Sequence, residues 1–210
     1  MTPPSCQLYL ISPLDTGGDF PEKLQSAFEA GPVAAFQFRV KDIDPDTAAR
    51  LAEPLKAICD THDVAFVVND DVALAQRIEA DGLHLGQSDA GLKEARALLG
   101  DKVQIGITCH DSRHLAMEAG EGGANYVAFG AFFPTETKET IYQPGVDILQ
   151  WWSTMMEIPS VAIGGITPDN CQPLIAAGAD FLAVSGSVWK TPDGPAKTVR
   201  QFTDILSNAS

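Results

Sequence analysis

The sequence is short of basic residues. It holds 14 lysines and arginines against 28 aspartates and glutamates, for a formal net charge of −14. A surface of that charge disfavours nucleic acid and anionic membranes as partners. Any anionic substrate must therefore be attracted by local groups, such as basic side chains at strand ends, helix N-termini or a metal ion.

The sequence also lacks disulfide, leader and membrane signals. Its four cysteines, Cys6, Cys59, Cys109 and Cys171, are scattered without a CxxC pair, which predicts reduced thiols. No stretch reaches the about 18 consecutive apolar residues that a membrane helix needs. The first ten residues, MTPPSCQLYL, contain neither a basic region nor a long apolar stretch, which argues against a secretory signal. We therefore expect a cytoplasmic protein without membrane contact.

Eight apolar runs alternate with helix-like segments, and no linker or low-complexity stretch interrupts them. This alternation predicts βαβ units with a parallel sheet, and eight units close into an α/β fold of the (β/α)8 TIM-barrel type. A flavodoxin-like open sheet would need fewer units. We expect one domain over residues 1–210. The predicted strands are 7–12, 33–41, 64–70, 82–89, 103–108, 126–138, 160–167 and 181–187, and the predicted helices are 20–30, 45–60, 71–80, 90–99, 112–121, 146–157, 169–177 and 193–207.

Polar side chains gather at the carboxyl ends of these predicted strands, where barrel enzymes place their chemistry. Gln37, Arg39 and Lys41 alternate with two apolar residues, so a period of two places all three on the inward face. Burying an arginine and a lysine there is costly unless an anion pairs with them. The pattern favours an anion site over the alternative of a structural ion pair.

Two aspartates at neighbouring strand ends suggest a divalent cation. Asn69 and Asp70 close the third strand and Asp89 follows the fourth. Carboxylate and amide oxygens suit Mg²⁺, which often bridges substrate phosphates. Aspartates also cap helices, and we assign that role to Asp71.

Later strand ends carry glycine and hydroxyl residues. Gly164-Gly165 and Ser185-Gly186 follow strands seven and eight, where barrels often bind phosphate through backbone N–H groups. Thr108 ends the fifth strand, and the 135–138 loop carries two hydroxyls and an ammonium that can grip phosphate. His84 alternates with apolar residues, so we expect a hydrogen-bonded core histidine. Cys109 has no evident base partner and is given no nucleophilic role.

Together these motifs resemble the thiamine phosphate synthase family. The family pattern has Q-x-R-x-K, then N-D, an aspartate after H-L-G-Q, a hydroxyl residue after I-G, T-x-T-K, I-G-G-I and a late aliphatic-Ser pair. The departures are Val40 in place of a common acidic residue, Glu136 where proline is also frequent, and threonine in place of the usual serine. In this chain the matching residues are Gln37, Arg39, Lys41, Asn69, Asp70, Asp89, Thr108, Thr135, Thr137, Lys138, Gly165, Val184 and Ser185.

The resemblance implies a transferase of thiamine biosynthesis that joins a pyrimidine diphosphate to a thiazole phosphate and releases pyrophosphate. It implies that Asp70 and Asp89 hold Mg²⁺, and that Lys41, Arg39 and Lys138 stabilise the departing pyrophosphate. The remaining residues are assigned by the same resemblance. The pyrimidine diphosphate would contact Gln37, Arg39, Lys41, Asn69, Thr108 and Lys138, and the thiazole phosphate would contact Thr135, Thr137, Gly165, Val184 and Ser185.

Other interpretations stay open at this point. A thiazole tautomerase of the same superfamily would need a base, for which His84 or His110 is the first candidate, but it would not need the metal aspartates and the basic cluster together. A non-catalytic barrel that binds thiazole phosphate or thiamine phosphate is a second alternative. A sugar-phosphate isomerase would explain only the glycine and hydroxyl residues that follow strands seven and eight. Small-molecule substrates are the expected partners, together with a possible homo-oligomer.

Overall fold

Eight parallel strands form a closed barrel in the order β1 to β8, with β8 paired to β1. The computed structural model describes residues 6–135 and 141–208. The predicted (β/α)8 fold is confirmed. The strands are β1 Gln7–Ile11, β2 Ala35–Phe38, β3 Ala65–Asn69, β4 Gly82–Leu85, β5 Gln104–His110, β6 Tyr126–Gly130, β7 Ser160–Ile163 and β8 Phe181–Val184.

Helices follow each strand on the outside of the barrel. Among the described residues no helix is long and apolar enough to cross a membrane. Their bounds are α1 Phe20–Ala30, α2 Pro45–Thr61, α3 Val72–Arg77, α4 Leu92–Leu99, α5 Arg113–Glu121, α6 Asp147–Met155, α7 Gln172–Ala176, α8 Gly186–Trp189 and α9 Pro195–Asn208. The short helix α8 was not predicted, and α2 continues through Pro54 without a break.

Several predicted strands are shorter than their apolar runs. The run at 33–41 gives a strand that stops at Phe38, because the Ser12 hydroxyl accepts the Arg39 backbone N–H at 2.8 Å in place of a ladder partner. The run at 126–138 stops at Gly130. In contrast, β5 continues two residues beyond Thr108, through a bulge between Thr108 and His110.

Side chains cap the starts of α2, α3 and α5. Asp44, Asp71 and Ser112 each accept a backbone N–H there, and the cap at Asp71 is the one that the sequence predicted. Pro168 and Pro192 lie before the first turns of α7 and α9. Asn170 accepts the Thr167 N–H and holds a turn ahead of α7, while a second turn at 191–194 precedes α9.

The barrel encloses a small core of its own, separate from the larger core between strands and helices. Its buried apolar members come from alternating inward positions of five strands, β1, β3, β6, β7 and β8. Polar side chains also enter the interior near the carboxyl ends of β2, β4 and β5, from Gln37, His84 and Thr108, and this is where the candidate site lies. The buried apolar members of the inner core are Tyr9, Ile11, Val67, Ala128, Val161 and Ala183.

Side-chain ties join strands in pairs at the opposite, amino-terminal face. The residue just before β4, β6 or β8 accepts a backbone N–H from the start of the preceding strand. The three ties are Asp81 to Phe66 N at 2.8 Å, Asn125 to Ile105 N at 2.8 Å, and Asp180 to Ser160 N at 2.7 Å. The residue before β2, at position 34, is alanine, whose side chain cannot accept a hydrogen bond, so it forms no tie of this kind. These contacts satisfy strand-end N–H groups and belong to the stability face of the barrel.

Candidate active site

A chain of hydrogen bonds crosses the polar half of the barrel. Gln37 Nε2 donates to Tyr9 Oη at 3.0 Å, and Tyr9 Oη lies 3.1 Å from Tyr126 Oη. Tyr126 Oη lies 3.0 Å from His84 Nδ1, and His84 Nε2 lies 2.8 Å from Thr108 Oγ1. We call these five residues the polar relay. It links β2, β1, β6, β4 and β5 and ends on two residues that the sequence had singled out, Gln37 and Thr108.

A glycine makes room for the central ring of the polar relay. Gly106 on β5 is paired with Tyr126 on β6. A Cβ atom at position 106 would lie under 3.0 Å from three carbons of the Tyr126 ring. The ring therefore occupies the space that any larger residue at 106 would fill. It also stacks on His84, with the ring centroids 5.6 Å apart.

The two phenols of the polar relay are neutral hydrogen-bonding groups. Burial raises the pKa of Tyr9 to about 12 and raises the pKa of Tyr126 well above its usual value. Gln37 and Thr108 carry no charge either. The two phenols, the amide and the hydroxyl therefore form an uncharged part of the site that can both donate and accept hydrogen bonds.

Basic side chains follow β2 at the barrel mouth. Gln37 points inward and is buried, as predicted, whereas Arg39 is half-buried and Lys41 is exposed in the loop beyond the strand. Ser12 fixes this strand end, because its hydroxyl contacts both the N–H and the C=O of Arg39. Within the described parts of the chain, neither Arg39 nor Lys41 forms an ion pair, so the alternative of a structural salt bridge is not supported there.

The two candidate metal aspartates lie at the ends of adjacent strands. Asp70 has a left-handed backbone with φ of 65°, and Asn69 Nδ2 donates to its carboxylate at 2.6 Å. Its N–H donates to the His84 carbonyl, which fixes it beside β4. Asp89 is exposed, and its carboxylate accepts the Gly86 N–H at 2.6 Å. A left-handed aspartate is uncommon and is enriched at functional sites.

This donor set fits Mg²⁺ when a substrate completes it. Mg²⁺ is usually held by one or two carboxylates, with phosphate oxygens and water filling the other positions. In residues 6–135 and 141–208 no cluster of three or more histidine, cysteine or acidic side chains could enclose a metal by itself. A magnesium role for Asp70, directly after β3, and Asp89, in the loop after β4, remains a prediction.

The glycine pair after β7 is needed to accommodate a neighbouring loop. Gly164 and Gly165 have φ of 102° and 64°, and a Cβ at either position would collide with the 131–134 segment. That segment runs along the pair, with the Phe132 and Phe133 N–H groups bonded to the Ile163 and Gly164 carbonyls. Close backbone approach and positive φ both require glycine here. A phosphate role for Gly165 remains a prediction.

The other predicted phosphate ligands lie after β8 and β6. Val184 is buried with its side chain in the outer core, so only its backbone can face a ligand. Ser185 is half-buried at the start of α8, beside the end of β1, where its hydroxyl lies 3.5 Å from the Ser12 carbonyl. Thr135 is half-buried. Thr137 and Lys138 lie outside the described residues.

The structure offers no activated thiol. Cys109 is buried between the barrel and its helices, and burial raises its pKa to about 12. Burial likewise raises the pKa of Cys6 to about 12 and raises that of Cys59. A thiol with so high a pKa is not a nucleophile at neutral pH. This agrees with the absence of a role for Cys109 in the sequence analysis.

Sequence reasoning missed Tyr9 and Tyr126, and it placed His84 in the core without seeing its partners. The contact between Tyr9 and Tyr126 joins positions 117 residues apart, which no local pattern reveals. A weaker signal was present in strand parity. Tyr126 alternates with Ala128 on an inward face, next to a strand with glycine at 106, so a large ring opposite a missing side chain could have been inferred.

A family model described as thiamine monophosphate synthase matches residues 8–188. The chain is 64% identical over 207 residues to the thiamine-phosphate synthase of Erythrobacter litoralis, covering 97% of this chain and 96% of that relative. It is 51% identical over 203 residues to the thiamine-phosphate synthase of Rhodospirillum centenum, covering 96% of this chain and 98% of the relative.

A solved structure of similar shape bears a related description. The thiamine phosphate pyrophosphorylase from Pyrococcus furiosus superposes with a TM-score of 0.86 at 28% identity. The match covers 97% of this chain and 96% of the other. Sequence and fold similarity thus extend over nearly the whole length of both proteins.

Proposed function

This chain belongs to the thiamine monophosphate synthase family, and we propose that it joins a pyrimidine diphosphate to a thiazole phosphate, forming thiamine phosphate and pyrophosphate. It is a transferase of thiamine biosynthesis that acts on small molecules. The cytoplasm is the expected location, and assembly into a homo-oligomer is part of the proposal.

The observation that carries this proposal is the arrangement of different residue types around the barrel mouth. Basic side chains and oxygen ligands follow the neighbouring strands β2, β3 and β4. Glycine and hydroxyl residues follow β7 and β8, which lie elsewhere on the closed ring. The neutral polar relay lies between them. A diphosphate suits the first group, a monophosphate the second, and an uncharged heterocycle the centre.

The reaction needs a leaving group to depart with its electrons. The bond between the pyrimidine methylene carbon and the diphosphate oxygen breaks, and pyrophosphate takes the electron pair. The electron-rich aminopyrimidine supports positive charge on that carbon, and the thiazole nitrogen donates its lone pair to form the new bond. Arg39, Lys41 and Lys138 stabilise the charge that builds on pyrophosphate. Asn69 and Thr108 contact the pyrimidine diphosphate.

Asp70 and Asp89 would hold Mg²⁺, which would neutralise charge on the diphosphate oxygens. Thr135, Thr137, Gly165, Val184 and Ser185 bind the thiazole phosphate, with Val184 contributing its backbone. No protein nucleophile is required, which agrees with the high pKa of the buried thiols.

Contacts in the site favour the synthase over a tautomerase. A tautomerase base needs a ring nitrogen ready to take a proton from substrate. Both ring nitrogens of His84 lie within hydrogen-bond distance of Tyr126 and Thr108, and His110 stacks on Tyr142 with centroids 4.2 Å apart. The contacts of His84 engage both of its ring nitrogens, which favours a structural role over that of a base that takes a proton from substrate.

The first experiment is an assay that follows thiamine phosphate and pyrophosphate together, with both substrates and Mg²⁺. We expect equal, metal-dependent formation of both products. Arg39→Gln should raise KM for the pyrimidine diphosphate at least about tenfold, because it removes a charged phosphate contact. Lys197→Gln on α9 is a matched control that also removes one surface charge. Saturable binding of thiazole phosphate without any product would refute the synthase and support the tautomerase or the binding barrel.

A further inference from the structure

We propose that Tyr126 and His84 are positioning residues that hold the Gln37 amide and the Thr108 hydroxyl in one donor–acceptor order. Gln37 and Thr108, at the two ends of the polar relay, then recognise the pyrimidine together. This inference rests on the proposed function, since it names what the neutral centre of that site recognises. Neither positioning residue was among those expected to contact substrate.

The contact distances allow the hydrogen bonds between Tyr9 and Thr108 to run in either direction, and the positioning role assigns the direction that starts at Gln37. Gln37 Nε2 donates to Tyr9 Oη, and in this order Tyr9 donates its own hydrogen to Tyr126. Tyr126 in turn donates to His84 Nδ1, which places the imidazole proton on Nε2, toward Thr108 Oγ1. A hydroxyl that accepts from histidine keeps its hydrogen to donate elsewhere. Gln37 likewise keeps its amide oxygen as an acceptor.

In this order the polar relay keeps one acceptor, the Gln37 amide oxygen, and one donor, the Thr108 hydroxyl, for a bound ligand. An aminopyrimidine carries an amino donor beside ring-nitrogen acceptors, which is the complementary pair. If one of these hydrogen bonds is lost, the Thr108 hydroxyl can rotate and the Gln37 amide can flip. Neither end of the polar relay then keeps a fixed donor or acceptor role. Fixed donors and acceptors contribute to recognition because binding then does not have to order them.

Packing holds the polar relay in place independently of substrate. Gln37 and His84 are 4% and 7% exposed, and Tyr9 is 3% exposed. The Tyr9 and Tyr126 rings meet edge to face, with centroids 6.2 Å apart. Rings packed in this way fix the positions of the two phenol hydroxyls. Recognition therefore depends on which group donates and which accepts in each hydrogen bond.

The inference is tested by whether substitutions at Tyr126 and Thr108 have coupled effects on KM. We expect Tyr126→Phe and Thr108→Val each to raise KM for the pyrimidine diphosphate about three- to tenfold, with KM for the thiazole phosphate within about twofold of wild type. The double variant should lie within about twofold of the worse single variant, because both changes disable the same unit. Independent contacts would multiply instead, to about tenfold or more. Thr154→Val, on the exposed face of α6, is the control for removing a threonine hydroxyl.

Histidine variants provide the second measurement. His84→Gln keeps an amide donor toward Thr108, so its KM for the pyrimidine diphosphate should be lower than that of His84→Ala, which removes both links. Thermal melts of each variant separate folding defects from recognition defects, since a merely structural role would alter both KM values together.

The outcomes separate the two proposals. A wild-type protein that forms no thiamine phosphate would overturn the proposed function and this inference with it. An active wild type in which the single losses multiply, or in which both KM values rise equally, would overturn the positioning role alone.

Discussion

Gly106→Ala is the sharpest test of how the polar relay is built. Gly106 lies on β5 beside the Tyr126 ring, and an added Cβ would come under 3.0 Å from three ring carbons. Such distances are essentially never tolerated, so the ring must move. The ring is held by Tyr9 on one side and by His84 on the other, so a displacement of the ring strains or breaks those hydrogen bonds.

The expected cost combines overpacking with lost hydrogen bonds. Overpacking a well-packed core typically costs about 1–3 kcal/mol. Two hydrogen bonds of Tyr126 contribute about 0.5–1.5 kcal/mol each. We therefore expect the free energy of unfolding to fall by about 2–6 kcal/mol, a large part of the about 5–15 kcal/mol of a typical domain. For a chain of this length, the melting temperature should fall by at least about 4 °C.

A double-mutant cycle identifies the cause. Chemical denaturation of Gly106→Ala, Tyr126→Val and the double variant gives the three free-energy differences needed. Valine at 126 removes the ring, so alanine at 106 should cost less than about 1 kcal/mol in that background. Gly17→Ala is the control, because an added Cβ there meets only the Asp15 carboxylate at an ordinary 3.4 Å.

The reasoning fails if Gly106→Ala costs the same in both backgrounds. The ring would then not be the group that excludes a side chain from position 106. A cost below about 0.5 kcal/mol in the wild-type background would also refute it, since the barrel interior would be loose enough to absorb the extra carbon.

Three further outcomes follow from the structure. Asp180→Ala should lower the free energy of unfolding by about 1–3 kcal/mol in urea denaturation, because the buried Ser160 N–H loses its acceptor, whereas Asp180→Asn should cost less since Asn125 serves the same role natively. Burial raises the pKa of Tyr9 to about 12, so the unfolded chain releases this proton first. Stability should fall between pH 10 and 12 by up to about 3 kcal/mol from this group, a loss that unfolding curves of Tyr9→Phe should lack. Asp70→Asn should raise the Mg²⁺ concentration for half-maximal rate at least about tenfold without lowering the melting temperature, because asparagine also tolerates the left-handed backbone. An unchanged Mg²⁺ requirement would count against Asp70 as a ligand.

The order of strands and helices was predictable because each of them leaves a local pattern in the sequence. A strand buried on both faces gives a short apolar run, and each run here is followed by polar residues or glycine. Helix caps such as Asp71 and Ser112 depend on neighbours three residues away, so they were also predictable. The identity of the strand-end residues was therefore readable before their arrangement in space was known.

What could not be predicted depends on contacts between distant segments. The end of β2 is set by Ser12, and the need for Gly164 and Gly165 comes from the 131–134 segment. The four-residue helix α8 is too short for a periodic signal. The polar relay draws one residue from each of five strands, so its existence depends on barrel closure and on the register of every pair.

The ties at the amino-terminal face divide the barrel into consecutive two-strand units. Asp81, Asn125 and Asp180 each join a strand to the one that follows it, so each tie closes within a short, continuous piece of chain. New termini placed between β4 and β5, or between β6 and β7, would leave every one of these ties inside an unbroken segment. Circular permutants opened at those joints should assemble more readily than permutants opened between β5 and β6, where the two halves of a tie would have to meet from opposite ends of the polypeptide.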